Sequence, residues 1–444
     1  AFPTGIGMAS TWDPELIKDV AIALAEETIA NKCDVLLGPC INIVRTPVGN
    51  RNFETYAEDP FLAGKIGTGY VQGLQSRGIG ASLKHFAANN QEFERTRGSS
   101  NMDERTLREI YLTAFEMVVK DANPWTIMCS YNRLNGEHAS QNPHLLNTVL
   151  REDWGYTGVV VSDWGANHTM FESVKAGLDL EMPGPSNYYG KYLEEAVKTW
   201  QMDESYVDKA AKRILRLSKR VEKYKKDNPN DKGAFSNKKH IDLAYKVAAT
   251  STVLLKNEDN ILPIKKGKKK IAVIGPCAKE ASYGGGGSSI VHCEYTISPL
   301  EGIQNYYGDD AEITFIEGCK DRAGSDHFWN VGMHVSTDGK EGLKEEYFTN
   351  REFKGDAAHT QIIPCIDDWN LFAPKGIDRA NFSVRWSADM VVDRTGDYKF
   401  YFSYQGDFVF TIDGDLIAEE KEWKDVDPFP FYTIQKKVVR LEKG

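Results

Sequence analysis

Residues 13–32, DPELIKDVAIALAEETIANK, set Leu16, Val20, Ile22, Leu24 and Ile29 on one side at helical spacing. The apolar run that follows, CDVLLGPCINI, reads as a buried strand. The same alternation recurs. A helix over 61–78 precedes the strand GIGASLKHF, a helix over 102–122 precedes WTIMCSYN, and PHLLNTVLRED precedes TGVVVSDW. A short helix and a fifth strand share MFESVKAGLDLEM, and the amphipathic helix DESYVDKAAKRILRLSKRVEKY closes the series near 222.

Strand–helix alternation predicts an α/β fold, a parallel sheet covered by helices. Polar residues finish each strand: Asn42, Lys84 and His85, Tyr131 and Asn132, Asp163 and Trp164, and Glu181. Ligands sit at such ends in a (β/α)8-type barrel and in a doubly wound sheet alike. Furnished ends on so many separate strands favour the barrel. Five strands are evident where a barrel needs eight, so the expectation is that its N-terminal part precedes Ala1.

Residues 223–240 form a polar, Pro- and Gly-containing linker. A second α/β domain is expected over 241–335, opening with a helix and a short strand in IDLAYKVAATSTVLLKNEDNILPI. Its SYGGGGSS run lacks the glycine spacing and the Lys-Ser/Thr of a nucleotide loop and reads as a surface or site-lining loop. From 336 to 444 short alternating segments with Gly-Asp turns and aromatics predict an all-β module, a sandwich whose aromatics mainly fill its core.

A formal charge of -10 over 444 residues, with no broad basic patch, argues against nucleic acid as a partner. No stretch reaches membrane-spanning length. Seven cysteines without metal spacing or a disulfide framework imply no metal and lean towards a reducing compartment. Cys33, Cys40 and Cys129 read as small core residues. No cofactor is expected.

Candidate chemistry gathers around Asp163, for which the plain alternative is a cap on the next helix. Arg51, Glu54, Lys84, His85, Tyr131 and Trp164 suit a sugar, whose hydroxyls take hydrogen bonds and whose flat face packs on an aromatic ring. An ionised Asp163 among Arg and Lys is expected to keep a low pKa and to attack an anomeric carbon. Glycoside cleavage also needs a second carboxyl. Spacing leaves open an aldolase-like enzyme with a Schiff base on Lys84. A serine triad through Ser162 or Ser130 lacks the Gly-x-Ser-x-Gly elbow.

GNRNFETYAEDP, GASLKHFAANNQE, DERTLREIY, MCSYNRLNG, GVVVSDWGA and AGLDLEMP, in this order over most of 1–185, resemble the glycoside hydrolase family 3 β-glucosidases. The resemblance implies Asp163 as nucleophile, with Arg51, Lys84, His85, Tyr131 and Trp164 holding the glycone. It leaves Glu54 and Glu181 as supporting acceptors, and Glu104 and Arg105 as first-turn helix charges. Ala87-Ala88-Asn89-Asn90 after Lys-His, and Trp164 after the nucleophile, separate the chain from the N-acetylglucosaminidase and xylosidase members, although a β-xyloside stays as an alternative substrate. GLKEEYF and the β-rich tail resemble a PA14 module inserted in the family's second domain.

The family's acid/base glutamate lies beyond that module and is not assignable here, and the family's opening segment is expected before Ala1. The expected reaction is retaining hydrolysis of terminal β-D-glucosyl residues from short β-glucosides or cello-oligosaccharides. A split enzyme, a trimmed fragment, a second chain carrying the glutamate, a homo-oligomer and a non-catalytic sugar-binding protein all stay open. So does location, cytoplasmic with periplasmic or secreted as alternatives, in a microbial source.

Overall fold

A computed structural model describes residues 1–265 without a break, most of 267–318, then 333–363, 381–404, 406–421 and 433–444, with a few isolated positions between. The chain divides into two compact units, residues 1–265 with 283–295, and 266–282 with 296–444.

The first unit is built on four parallel strands in sequential order: β1 (Val35–Leu36), β2 (Gly80–Phe86), β3 (Thr126–Cys129) and β4 (Val159–Ser162). The expected first strand is cut to two residues because Gly38 and Pro39 interrupt it, and a proline has no N–H for a ladder. The chain rejoins the sheet beyond them, with Ile41 N–H donating to Lys84 O at 2.9 Å. The expected fifth strand is a single parallel bridge, Val161 to Leu180.

Two helices cover the sheet with the same opening. Asp13 caps α1 (Pro14–Ala30) and Asp59 caps α2 (Pro60–Ser76); in each the aspartate accepts two backbone N–H groups and proline takes the first helical position. The helices cross where Gly69 and Gly73 meet the carbonyls of Pro14 and Lys18, and a Cβ at either glycine would strike them. The expected helix over 102–122 is interrupted. Its middle, Leu107–Tyr111, is π-helical, with Leu112 N–H reaching Leu107 O at 2.9 Å, before α3 (Thr113–Ala122) resumes. Leu83, Phe86, Phe115, Ile127 and Val160 are fully buried between the layers.

The polar stretch after α4 (Glu204–Asp227) is tied down. His240, at the start of α5 (Lys238–Thr250), sets Nδ1 2.8 Å from Glu27 and Nε2 2.9 Å from Glu26. Arg77 bridges Glu26 and Asp231. Helix α5 therefore packs with the first unit, which runs to 265. The short strand expected after it does not form. Val253, Leu254 and Leu255 are exposed, and among the described residues no strand pairs with them. Cys33 is also exposed, because it lies in the turn after α1 and not in a strand.

In the second unit β5 (Lys269–Ile274) and β6 (Ala311–Ile316) pair in parallel, with the helix Pro299–Tyr307 between them in the chain. The strands beyond 333 pair antiparallel. Leu343–Phe348 runs between His359–Ile363 and Ser383–Ser387, and Asp413 and Gly414, both at positive φ, turn the hairpin Phe408–Ile412 to Asp415–Glu420. Phe402, on the strand Gly396–Tyr404, stacks on Phe408 of this hairpin, and Phe400 and Phe402 both meet Phe410 at a tilt. The glycines at 284–286 lie outside the described residues.

Candidate active site

Four strand ends converge on one group. Asp163 follows β4 directly and is buried. It caps no helix: the next one begins at Phe171, and its N-terminal flank is Met170. Tyr131, after β3, stands close enough to the Asp163 carboxyl for its hydroxyl to lower that group's pKa. Oδ2 lies 3.4 Å from His85 Nε2, yet no hydrogen bond reaches it.

His85, on β2, is held by its own backbone. Asn42 Oδ1 accepts the His85 N–H at 2.9 Å, and Asn42 Nδ2 donates to the His85 carbonyl at 2.9 Å. The ring sets Nδ1 3.6 Å from Cys40 Sγ and Nε2 3.2 Å from Arg51 Nη2. Arg51 pairs with Glu54 at 2.6 Å and with Glu92 at 3.7 Å, and Lys84 reaches Glu54 at 3.5 Å. Glu92 also holds Arg95 at 2.6 Å, and the Arg95 guanidinium lies 4.4 Å above the centre of the Tyr131 ring. Cys40, Arg51, His85, Asn89, Asn90 and Glu92 line a concavity at this point.

The electrostatics differ from the sequence expectation in one respect. Burial raises the Asp163 carboxyl above its ordinary value, and Lys84, Arg51, Tyr131 and Arg95 only partly offset it. The expected low pKa counted the cations but not the desolvation. Burial beside Lys84, Arg51 and Arg95 holds His85 far below the usual imidazole range, so the ring is neutral. Burial pushes Tyr131 up, so it stays a phenol.

The other candidates separate. Ser130 and Ser162 give their hydroxyls to the carbonyls of Ala87 and Met182, which removes both as nucleophiles. Glu181 accepts the N–H groups of Asn187, Tyr188 and Tyr189 and shapes the loop after the sheet. Glu104 sits on the helix surface with Arg108 and His144. Trp164 holds a left-handed φ of 45° directly after Asp163. Among the described residues no three His, Cys, Asp or Glu side chains are arranged to hold a metal ion, and no helix is long and apolar enough to cross a membrane.

Residues 1–217 match the N-terminal domain of glycosyl hydrolase family 3, and residues 252–398 match its C-terminal domain. The chain belongs to glycoside hydrolase family 3.

A β-glucosidase of Rhizobium radiobacter is 40% identical over 94% of this chain and 50% of its own length. An exo-α-(1→6)-L-arabinopyranosidase of Bifidobacterium breve is 48% identical over 65% of this chain and 38% of its own. The crystal structure of a β-glucosidase from Kluyveromyces marxianus with glucose superposes with a TM-score of 0.77 at 33% identity, covering all of this chain and 55% of that one. This family 3 chain thus spans about half the length of the curated relatives it matches.

Sequence reasoning missed Arg95 and the Asn42 clamp as parts of the cluster. Arg95 stands in EFERTRG, where no motif marks it. Its place over Tyr131 depends on a turn at Glu94, where φ is 50°.

Proposed function

We propose that this family 3 chain carries the glycone site and the nucleophile of a retaining β-glucosidase. The observation that carries the reading is the Asp163 carboxylate, buried with an unpartnered oxygen beside Arg51, Lys84, His85, Arg95 and Tyr131. Asp163 attacks the anomeric carbon while the glycosidic bond breaks, giving a glycosyl ester and the released alcohol; water then cleaves the ester and returns the carboxylate. Arg51, Lys84, His85 and Tyr131 take the sugar hydroxyls and Trp164 takes its face.

Glu54 and Glu92 are each paired to two cations, which leaves the acid/base role to a group not assigned among these residues. The unit up to 265 is read as part of a β/α barrel, on the support of four sequential parallel strands with furnished ends. The β-rich segment after 333 is read as a PA14-like module.

Intact-protein mass spectrometry after incubation with 2,4-dinitrophenyl 2-deoxy-2-fluoro-β-glucoside tests the reading. This leaving group departs without protonation, so the test does not depend on the unassigned acid. A fluoroglucosyl adduct, absent in Asp163→Asn, is the expected result. No adduct on the folded wild type overturns it.

The 48% identity to an arabinopyranosidase favours a second reading, a terminal α-L-arabinopyranosyl substrate. Comparing kcat/KM on the 4-nitrophenyl β-D-glucoside and α-L-arabinopyranoside decides between them.

A further inference from the structure

His85 Nε2 faces two groups with opposite demands. Arg51 Nη2, at 3.2 Å, has only protons to offer, because a guanidinium accepts nothing. Asp163 Oδ2, at 3.4 Å, has only lone pairs when ionised. The neutral imidazole carries one proton. With that proton on Nε2, His85 meets the Arg51 donor head-on and donates to Asp163. With it on Nδ1, Nε2 accepts from Arg51 and Asp163 Oδ2 stays without a donor from His85. The choice therefore rests on what lies at Nδ1.

What lies there is Cys40. Its sulfur is 3.6 Å from Nδ1 and 3.6 Å from Asn42 Oδ1, and the residue is buried. Burial pushes the thiol up to about 12, so it keeps its proton. A protonated thiol between these groups donates S–H to Asn42 Oδ1, which has no hydrogen to give. The sulfur lone pairs then face Nδ1 and accept its proton. Asn42 holds the backbone N–H and carbonyl of His85, so thiol, amide and imidazole close a ring of mutually consistent hydrogen bonds.

We propose that Cys40 is a positioning residue that fixes His85 as the Nδ1–H tautomer and so keeps Asp163 Oδ2 free of a hydrogen bond from His85. The first half stands on the geometry alone. The second rests on the reading of Asp163 as nucleophile, since an oxygen that already accepts a strong hydrogen bond attacks carbon more slowly.

The test uses the full chain labelled with 15N-histidine. Long-range 1H–15N correlation reports which ring nitrogen of His85 bears the proton, and the His85 resonance is assigned by its absence in His85→Gln. Wild type is expected to carry Nδ1–H. Cys40→Val fills the space without a hydrogen-bonding group; it is expected to convert His85 to Nε2–H and to slow adduct formation from the fluoroglucoside by about tenfold. Cys40→Ser restores a donor and an acceptor and is expected to recover Nδ1–H and most of the rate. If Cys40→Val does not fold, Cys40→Ala makes the same comparison.

A wild-type His85 with its proton on Nε2 overturns the proposal, as does Nδ1–H persisting in both apolar variants. If no protein forms an adduct, wild type included, while the tautomers behave as stated, the glucosidase reading fails and the hold of Cys40 on His85 stands.

Discussion

Asp163 and Asp179 are both buried aspartates beside β4, and burial raises both carboxyls. Their surroundings differ in what reaches the oxygens. Asp179 accepts the Val160 N–H at 2.8 Å, Arg151 at 2.8 Å and Arg213 at 2.7 Å. Asp163 has cations near it, yet one oxygen accepts nothing. A carboxylate whose two oxygens both accept hydrogen bonds is a structural joint. One that is buried with a lone pair open can react, at a cost in stability. Burial and a shifted pKa are common to the two; the open oxygen is what separates them.

The largest effect that sharpens this contrast is expected at Asp163 itself. Asp163→Asn should reduce the rate of fluoroglucosyl labelling by on the order of 10⁴-fold or more, while the thermal midpoint does not fall. A variant that labels at the wild-type rate would remove Asp163 from the chemistry.

Asp179→Ala should do the reverse. It leaves Arg151 and Arg213 facing no carboxylate, and the expected loss is about 3–5 kcal/mol in urea unfolding, with labelling per folded molecule kept. If stability is unchanged and labelling is lost, the roles of the two aspartates are exchanged.

A third test uses pH. Asp163 must be ionised to attack, and its carboxyl lies above the ordinary value, so labelling should fail on the acid side at a higher pH than a free carboxylate would give. A raised acid favours the protonated folded state. The stability it contributes is complete below its unfolded pKa and is lost as pH rises through the folded one. Lys84 is the strongest opposing charge, so Lys84→Met should move the acid limb further up, and by more than Arg95→Met does. Equal profiles would mean that the cations do not act on this carboxyl.

The smallest effect is expected far from the site, at Glu26. Burial raises its carboxyl, but hydrogen bonds from His240 and Arg77 outweigh this and hold it below the ordinary value. A lowered acid has the opposite sign: its stability is present above the unfolded pKa and disappears as pH falls through the folded one. Unfolding midpoints followed from neutral pH down to about pH 3 should fall less steeply in Glu26→Gln than in wild type. An unchanged slope would show that the cluster contributes nothing.

Much of the first unit was legible because its signals are local. Helical spacing and apolar runs ending in polar residues each need only a few neighbours in sequence. What escaped depends on distant groups. Cys40 read as a small core residue because nothing nearby in sequence says that His85 will lie against it. Arg95 carries no local sign that a turn will bring it over Tyr131. The Asp163 pKa went the other way because counting cations is possible from sequence and counting lost water is not. Val253, Leu254 and Leu255 have strand composition, but composition does not supply a neighbouring ladder.

The polar stretch over 228–240 has a practical consequence for anyone dividing this chain. It has the composition of a hinge, and a cut there would look harmless. His240 closes it with an imidazole clasped by two carboxylates of α1, and Arg77 fastens Asp231 to the same helix. Cutting at 222 would take both His240 and Asp231 away from their partners in the first unit. A division after 265 keeps the strap with the body it binds.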